Sequence, residues 1–126
     1  MEPVGLRVLL ADDEPTVRDV VKRCLEGLRV TVVEASCGED ALDCAGGSID
    51  LLITDEVMEG IQGHELARRL RAQNPRLKVL YLTGHADDLF DAKPAMGDHE
   101  AFLEKPFTSS GLREAIAMLV TDRLSL

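Results

Sequence analysis

Five short apolar runs recur along this chain, and each is followed by a stretch in which apolar residues return at helical spacing. Arg7-Val8-Leu9-Leu10-Ala11 stops at two aspartates and reads as a buried parallel strand. Val17, Val20, Val21, Cys24, Leu25 and Leu28 then recur as one face of a helix, with Pro15 at its start, where a missing N–H costs nothing. Val30 to Glu34 is β-branched and reads as a second strand. A short helix from Glu39 to Ala45 carries Ala41 and Leu42 and is stopped by Gly46-Gly47. Ile49 to Thr54 is the third strand, ending at Asp55, and Gly60 and Gly63 loosen the loop beyond it.

The second half repeats the pattern. Glu65 to Gln73 is helical, with Leu66, Ala67 and Leu70 inward, and Asn74-Pro75 ends it. Leu77 to Leu82 is a strand ending at Thr83-Gly84. A helix fits Ala86 to Ala92, but Pro94 and Gly97 prevent a long one. Ala101 to Glu104 is a short fifth strand, followed by Lys105-Pro106. The last helix begins near Ser109 or Ser110, either of which can cap it, and buries Leu112, Ala115, Ile116 and Leu119. Strand and helix in alternation mean an α/β fold, a parallel sheet with helices on both faces. Residues 1–126 read as a single domain, large enough to bury roughly two thirds of its unfolded surface. With 3% aromatic residues, its core is built from Val, Leu, Ile and Ala.

In such a sheet, ligands bind beyond the carboxyl ends of the strands. Asp12-Asp13, Asp55, Thr83 and Lys105 all fall there. Carboxylates gathered at one edge repel: two charges about 4 Å apart cost roughly 4 kcal/mol at an effective dielectric of about 20. A hard divalent cation relieves this, since Mg²⁺ takes carboxylate, water and phosphate oxygens. Lys105 adds a second positive charge. A carboxylate beside both can attack phosphorus, as in aspartyl phosphates. Asp55, on the middle strand, is the natural nucleophile, Asp12 and Asp13 the metal ligands, and Thr83 a donor to a phosphoryl oxygen. Taken singly, each residue has a plain reading as a turn, a cap or a solvated charge. Their joint placement at the ends of four strands does not.

The remaining numbers narrow the class. A net charge of −9 argues against direct nucleic-acid binding. Cys24, Cys37 and Cys44 have no metal-ligand spacing and read as reduced thiols of a cytoplasmic protein. The early run Val8–Ala11 is too short for a signal peptide or a membrane span. His64, His85 and His99 lack ligand spacing and read as surface polar residues; Met58 and Met96 read as packing or loop residues.

These residues resemble the receiver domains of two-component response regulators over essentially the whole chain. The resemblance rests on Asp12-Asp13, Asp55-Glu56-Val57-Met58 with Gly63 eight residues after the aspartate, Thr83, Lys105-Pro106-Phe107, and Phe102 three before the lysine. It implies a flavodoxin-like (βα)5 fold with strand order 2-1-3-4-5. It implies phosphoryl transfer to Asp55 from a phosphohistidine on a histidine kinase or phosphotransfer protein, and a Mg²⁺ (or Mn²⁺) site formed by Asp12, Asp13, Asp55 and the Val57 backbone carbonyl. Thr83 and Lys105 would bind phosphoryl oxygens, and the Lys105-Pro106 peptide would be cis. Thr83 and Phe102 would move on phosphorylation and reshape the α4-β5-α5 face for a downstream protein, in a monomer or weak dimer, with no catalysis beyond the domain's own phosphorylation and dephosphorylation. The domain would be a stand-alone regulator or part of a hybrid sensor kinase, which Thr83-Gly84-His85 and the acidic stretch after it favour.

Three departures stand out. Glu59 replaces the proline usual after the methionine, leaving the acceptor loop less rigid; the switch aromatic is Phe102 rather than the commoner Tyr; and the stretch from Asp87 to Glu100 is acidic and broken. Val57 and His85 occupy positions that tune phosphoryl lifetime in the family, and Val57, unable to hold an attacking water, implies slow self-dephosphorylation. Two other functions fit parts of the pattern. A metal-dependent aspartyl phosphatase would place an acid where Val57 stands; a degenerate binding module would not need the full acidic and basic set.

Overall fold

The fold follows from strict alternation along the strands. In the computed structural model, which describes residues 5–45, 48–84, 86–93 and 95–120, the elements run β1 (Leu6–Ala11), α1 (Pro15–Cys24), β2 (Val30–Ala35), α2 (Gly38–Cys44), β3 (Leu51–Asp55), α3 (Gly63–Gln73), β4 (Lys78–Thr83), α4 (Ala86–Ala92), β5 (Glu100–Glu104) and α5 (Ser109–Val120). The strands form one parallel sheet in the order β2-β1-β3-β4-β5. This is the flavodoxin-like order that the sequence resemblance implies. Among the described residues, no helix is long and apolar enough to cross a membrane.

Successive side chains leave a strand on opposite faces, and here both faces are apolar. Leu9, Ala11, Leu52, Val79 and Tyr81 pack with Leu66, Ala67 and Leu70 of α3, Ala41 of α2 and Leu89 of α4. Val8, Leu10, Leu51, Ile53, Leu80 and Leu82 pack on the other side with Val21 of α1 and with Leu112, Ile116 and Leu119 of α5. Helices α2, α3 and α4 thus cover one face and α1 and α5 the other. Burial drives Tyr81 well above the usual phenol range, so it stays neutral in the core.

Several expected boundaries shift for local reasons. Helix α1 ends at Cys24, and Val20 and Leu28, expected on its inward face, are 44% and 39% exposed. Helix α2 starts earlier, with the Cys37 sulfur accepting the Asp40 N–H at 3.4 Å. Helix α3 starts at Gly63, so this glycine is the first residue of a helix and not a loosening of the loop. The cap of α5 is Thr108, whose Oγ1 accepts the Gly111 N–H at 2.9 Å, rather than Ser109 or Ser110. The Gly46-Gly47 stop and Pro94 lie outside the described residues.

The stretch before β5 is organised by a buried carboxylate. The Glu100 side chain is 3% exposed. Its Oε1 accepts from the Gly97 N–H at 2.6 Å and from Lys93 Nζ at 2.7 Å, and its Oε2 accepts from Arg71 at 2.6 Å. Arg71 also donates to the carbonyls of Leu77 and His99, the latter a residue with φ of 67°. Burial alone would raise the Glu100 carboxyl, but the Lys93, Gly97 and Arg71 donors outweigh it and hold it below its usual value. Glu100→Ala strands these donors and costs about 1–3 kcal/mol in urea unfolding at neutral pH. Because the folded-state value is lowered, this stabilisation is complete above the unfolded value of about 4.5 and disappears as pH falls through the folded one. The gap between wild type and variant therefore closes in acid.

Candidate functional site

Strand register builds the site. Ala11 pairs with Thr54, so the residues that follow, Asp12 and Asp55, emerge side by side from adjacent strands. Asp55 pairs with Leu82, and Thr83 with Glu104, which puts Thr83 and Lys105 at the same edge. The Lys105 N–H donates to the Thr83 carbonyl at 2.8 Å, extending the ladder one residue beyond β5. The Lys105-Pro106 peptide is cis. Asp12 is fixed from behind: its N–H donates to Ala35 O at 3.2 Å, and its carbonyl accepts from Arg18 at 2.6 Å, while Arg18 also pairs with Glu34.

Lys105 Nζ lies 3.1 Å from Asp55 Oδ2, 3.3 Å from Asp12 Oδ2 and 3.4 Å from Glu14 Oε1. Among the described residues, Asp12, Asp13, Glu14 and Asp55 each offer a carboxylate oxygen, all within 4.8 Å of one another. Asp12 is 1% exposed, and burial raises its carboxyl above the usual range despite the Glu14 N–H and Lys105 beside it. Burial opposes the charge on Lys105 too, but Asp12 and Asp55 outweigh it and raise the ammonium above its ordinary value. The two shifts differ in cause: burial outweighs Lys105 at Asp12, whereas the neighbouring carboxylates outweigh burial at Lys105. An all-oxygen, multiply anionic donor set of this kind fits a hard divalent ion such as Mg²⁺.

Above these groups is a cleft of about 160 Å³ lined by Asp13, Glu14, Asp55, Val57, Gly84 and Lys105. Thr83 is fully buried at the end of β4, with Gly84 reaching the cleft in its place. Val57 N–H donates to Asp55 Oδ1 at 3.3 Å, holding the carboxylate against its own loop. Phe102 lies away from the acids, 37% exposed, its ring edge-on to Phe90 of α4 at 5.0 Å and 88°. His85 lies outside the described residues.

Two features escape sequence reading. Glu14 joins the acidic set, signalled only by its adjacency to Asp12-Asp13. Glu56, 1% exposed, accepts from His64 at both its oxygens, so His64 is bound to a buried partner and is not a free surface residue.

The family model described as the response regulator receiver domain matches residues 8–117. The chain is 35% identical over 112 residues to the sensor kinase CckA of Brucella abortus, covering 86% of this chain and 12% of that one. It is 36% identical over 103 residues to the response regulator UvrY of Escherichia coli, covering 79% of this chain and 47% of that one. The solved receiver domain of the hybrid histidine kinase CckA matches with a TM-score of 0.75 at 33% identity, covering 90% of this chain and 97% of that one. A response regulator receiver domain from Clostridium thermocellum matches with a TM-score of 0.78 at 29% identity, covering 96% and 99%. The chain therefore belongs to the response regulator receiver domains of two-component systems. It spans between 12% and 47% of the length of these two full-length relatives.

One glycine in the site is sterically required. A Cβ added at Gly63 would run into the Asp55 carbonyl oxygen and sit 3.0 Å from the Glu56 Cα, both of them backbone atoms that cannot swing aside. Gly63→Ala is expected to destabilise the protein by about 1–3 kcal/mol through overpacking, measured by urea unfolding.

Proposed function

We propose that this domain is a phosphorylation-switched signalling module in which Asp55 accepts a phosphoryl group from a phosphohistidine on a histidine kinase or phosphotransfer protein. The observation that carries this reading is Lys105 Nζ between Asp55 and Asp12 beneath an open cleft. A carboxylate oxygen of Asp55 forms the new P–O bond as the donor P–N bond breaks, and the histidine nitrogen keeps the electron pair. Asp12, Asp13, Asp55 and the Val57 carbonyl would hold the cation. When bound, Mg²⁺ neutralises charge on the transferred group. Lys105 turns its ammonium from the carboxylates to a phosphoryl oxygen, and the Thr83 hydroxyl donates to another.

Phosphorylation adds about −1.5 to −2 charge at Asp55. Thr83 shifts toward it, and Phe102 leaves Phe90 for the space behind Thr83. The surface formed by α4, β5 and α5 changes its affinity for a downstream protein, as a shift between existing states. Phe102 has no hydroxyl, so this switch works through packing alone. The phosphatase alternative finds no support at Val57, whose apolar side chain lines the cleft where that chemistry needs an acid. The relatives include both a sensor kinase and a response regulator, and the module fits either setting.

Intact-mass spectrometry after incubation with acetyl phosphate and Mg²⁺ tests the reading. One added phosphoryl group is expected, absent in Asp55→Asn and absent when the metal is chelated. No adduct from any donor would make the domain a degenerate binding module. In the same experiment the adduct should outlast the seconds scale after donor removal, because Val57 offers no group to orient an attacking water; decay within seconds would contradict that role for Val57.

A further inference from the structure

Glu56 is a buried carboxylate that the phosphoryl chemistry does not use. It follows Asp55 directly, and its side chain is 1% exposed. Both oxygens go to one residue: Oε1 accepts the His64 backbone N–H at 2.8 Å, and Oε2 accepts from His64 Nδ1 at 2.5 Å. The contact is suited to an Nδ1–H donor facing a carboxylate that accepts. His64 is the second residue of α3, and the N-cap residue Gln62 makes no side-chain cap bond. Glu56 therefore satisfies, from across the loop, an N–H that a helix start otherwise leaves orphaned.

The backbone runs alongside. The Gly63 N–H donates to the Glu56 carbonyl at 2.9 Å, and the Gly63 Cα packs against the Asp55 carbonyl. Asp55 Oδ1 in turn accepts the Val57 N–H. Asp55, Glu56 and Val57 are thus joined to the first turn of α3 by a closed set of contacts. Glu59 stands in the position where a proline would stiffen this loop by fixing φ.

We infer that the Glu56–His64 pair is a positioning clamp for the phosphoacceptor loop. By tying the loop to α3, it sets the placement of the Asp55 carboxylate and the Val57 peptide, and with it the affinity of the acidic cleft for a divalent cation and the rate of phosphoryl uptake. This rests on the reading of Asp55 as phosphoacceptor.

His64→Asn keeps an N–H donor at the same distance from the backbone as Nδ1, whereas His64→Leu removes it. Mg²⁺ affinity is measured by titration calorimetry, and the rate of acetyl phosphate uptake at saturating Mg²⁺ by mass spectrometry. His64→Leu is expected to weaken Mg²⁺ binding roughly 10-fold or more, and His64→Asn to remain within about 3-fold of wild type, as for partners that orient metal ligands. The double variant Glu56→Leu/His64→Leu leaves no polar side chain stranded, only the residue 64 backbone N–H without its acceptor, and guards against simple unfolding. If it melts like wild type yet binds Mg²⁺ weakly, the clamp is confirmed. Wild-type Mg²⁺ affinity in the folded double variant, or equal losses in His64→Asn and His64→Leu, would overturn it. Should wild type bind Mg²⁺ but take no phosphoryl group, the phosphoacceptor reading falls, and the ordering of Mg²⁺ affinities still decides whether the pair positions the loop.

Discussion

The ammonium of Lys105 holds together an arrangement that would otherwise repel itself. It lies within hydrogen-bonding range of Asp55 and Asp12 and close to Glu14, carboxylates from two adjacent strand ends. Asp12 has lost most of its water, and burial makes its charge costly. One cation offsets part of that cost and leaves a residual attraction for another. Under the proposed function, affinity for a divalent metal and for a phosphoryl group would follow from this imbalance more than from any single residue.

Most of the fold was legible because its signals are local. Buried parallel strands appear as unbroken apolar runs, and β1 through β5 match those runs to within one or two residues. The strand-end acids, Thr83 and Lys105 were legible for the same reason: topology brings every strand's carboxyl end to one edge. What was missed depends on contacts across the fold. The start of α3 is set by Glu56 reaching over a loop, and a pair eight residues apart has no period to betray it. Val20 and Leu28 obey the helical spacing of α1, yet the helix ends before Leu28, and Val20 faces a shallow apolar groove beside Pro106 and Phe107. The acidic stretch before β5 looked irregular because its order comes from Glu100, whose partners on α3 and after α4 cannot be paired by inspection.

The two ends of this region differ in how they are held. Near Gly97 the chain is fastened by charge-assisted bonds to Glu100, which are among the stronger kinds of hydrogen bond. On the outer side, Phe90 and Phe102 meet edge to face at the surface, where the contact is apolar and partly wet. Between the two rings themselves the contact is one of apolar surfaces only.

The alternation of the strands has a consequence for accuracy. In a parallel sheet with apolar residues on both faces, sliding one strand by a single residue exchanges the side chains of its two faces. For β3, such a slip would send Leu52 to the face of α1 and α5 and take Asp55 out of line with Asp12. The hydrophobic interior thus acts as a vernier for the charged rim. Chemistry that needs tenths of an ångström is calibrated by oil, at a distance from the atoms that react.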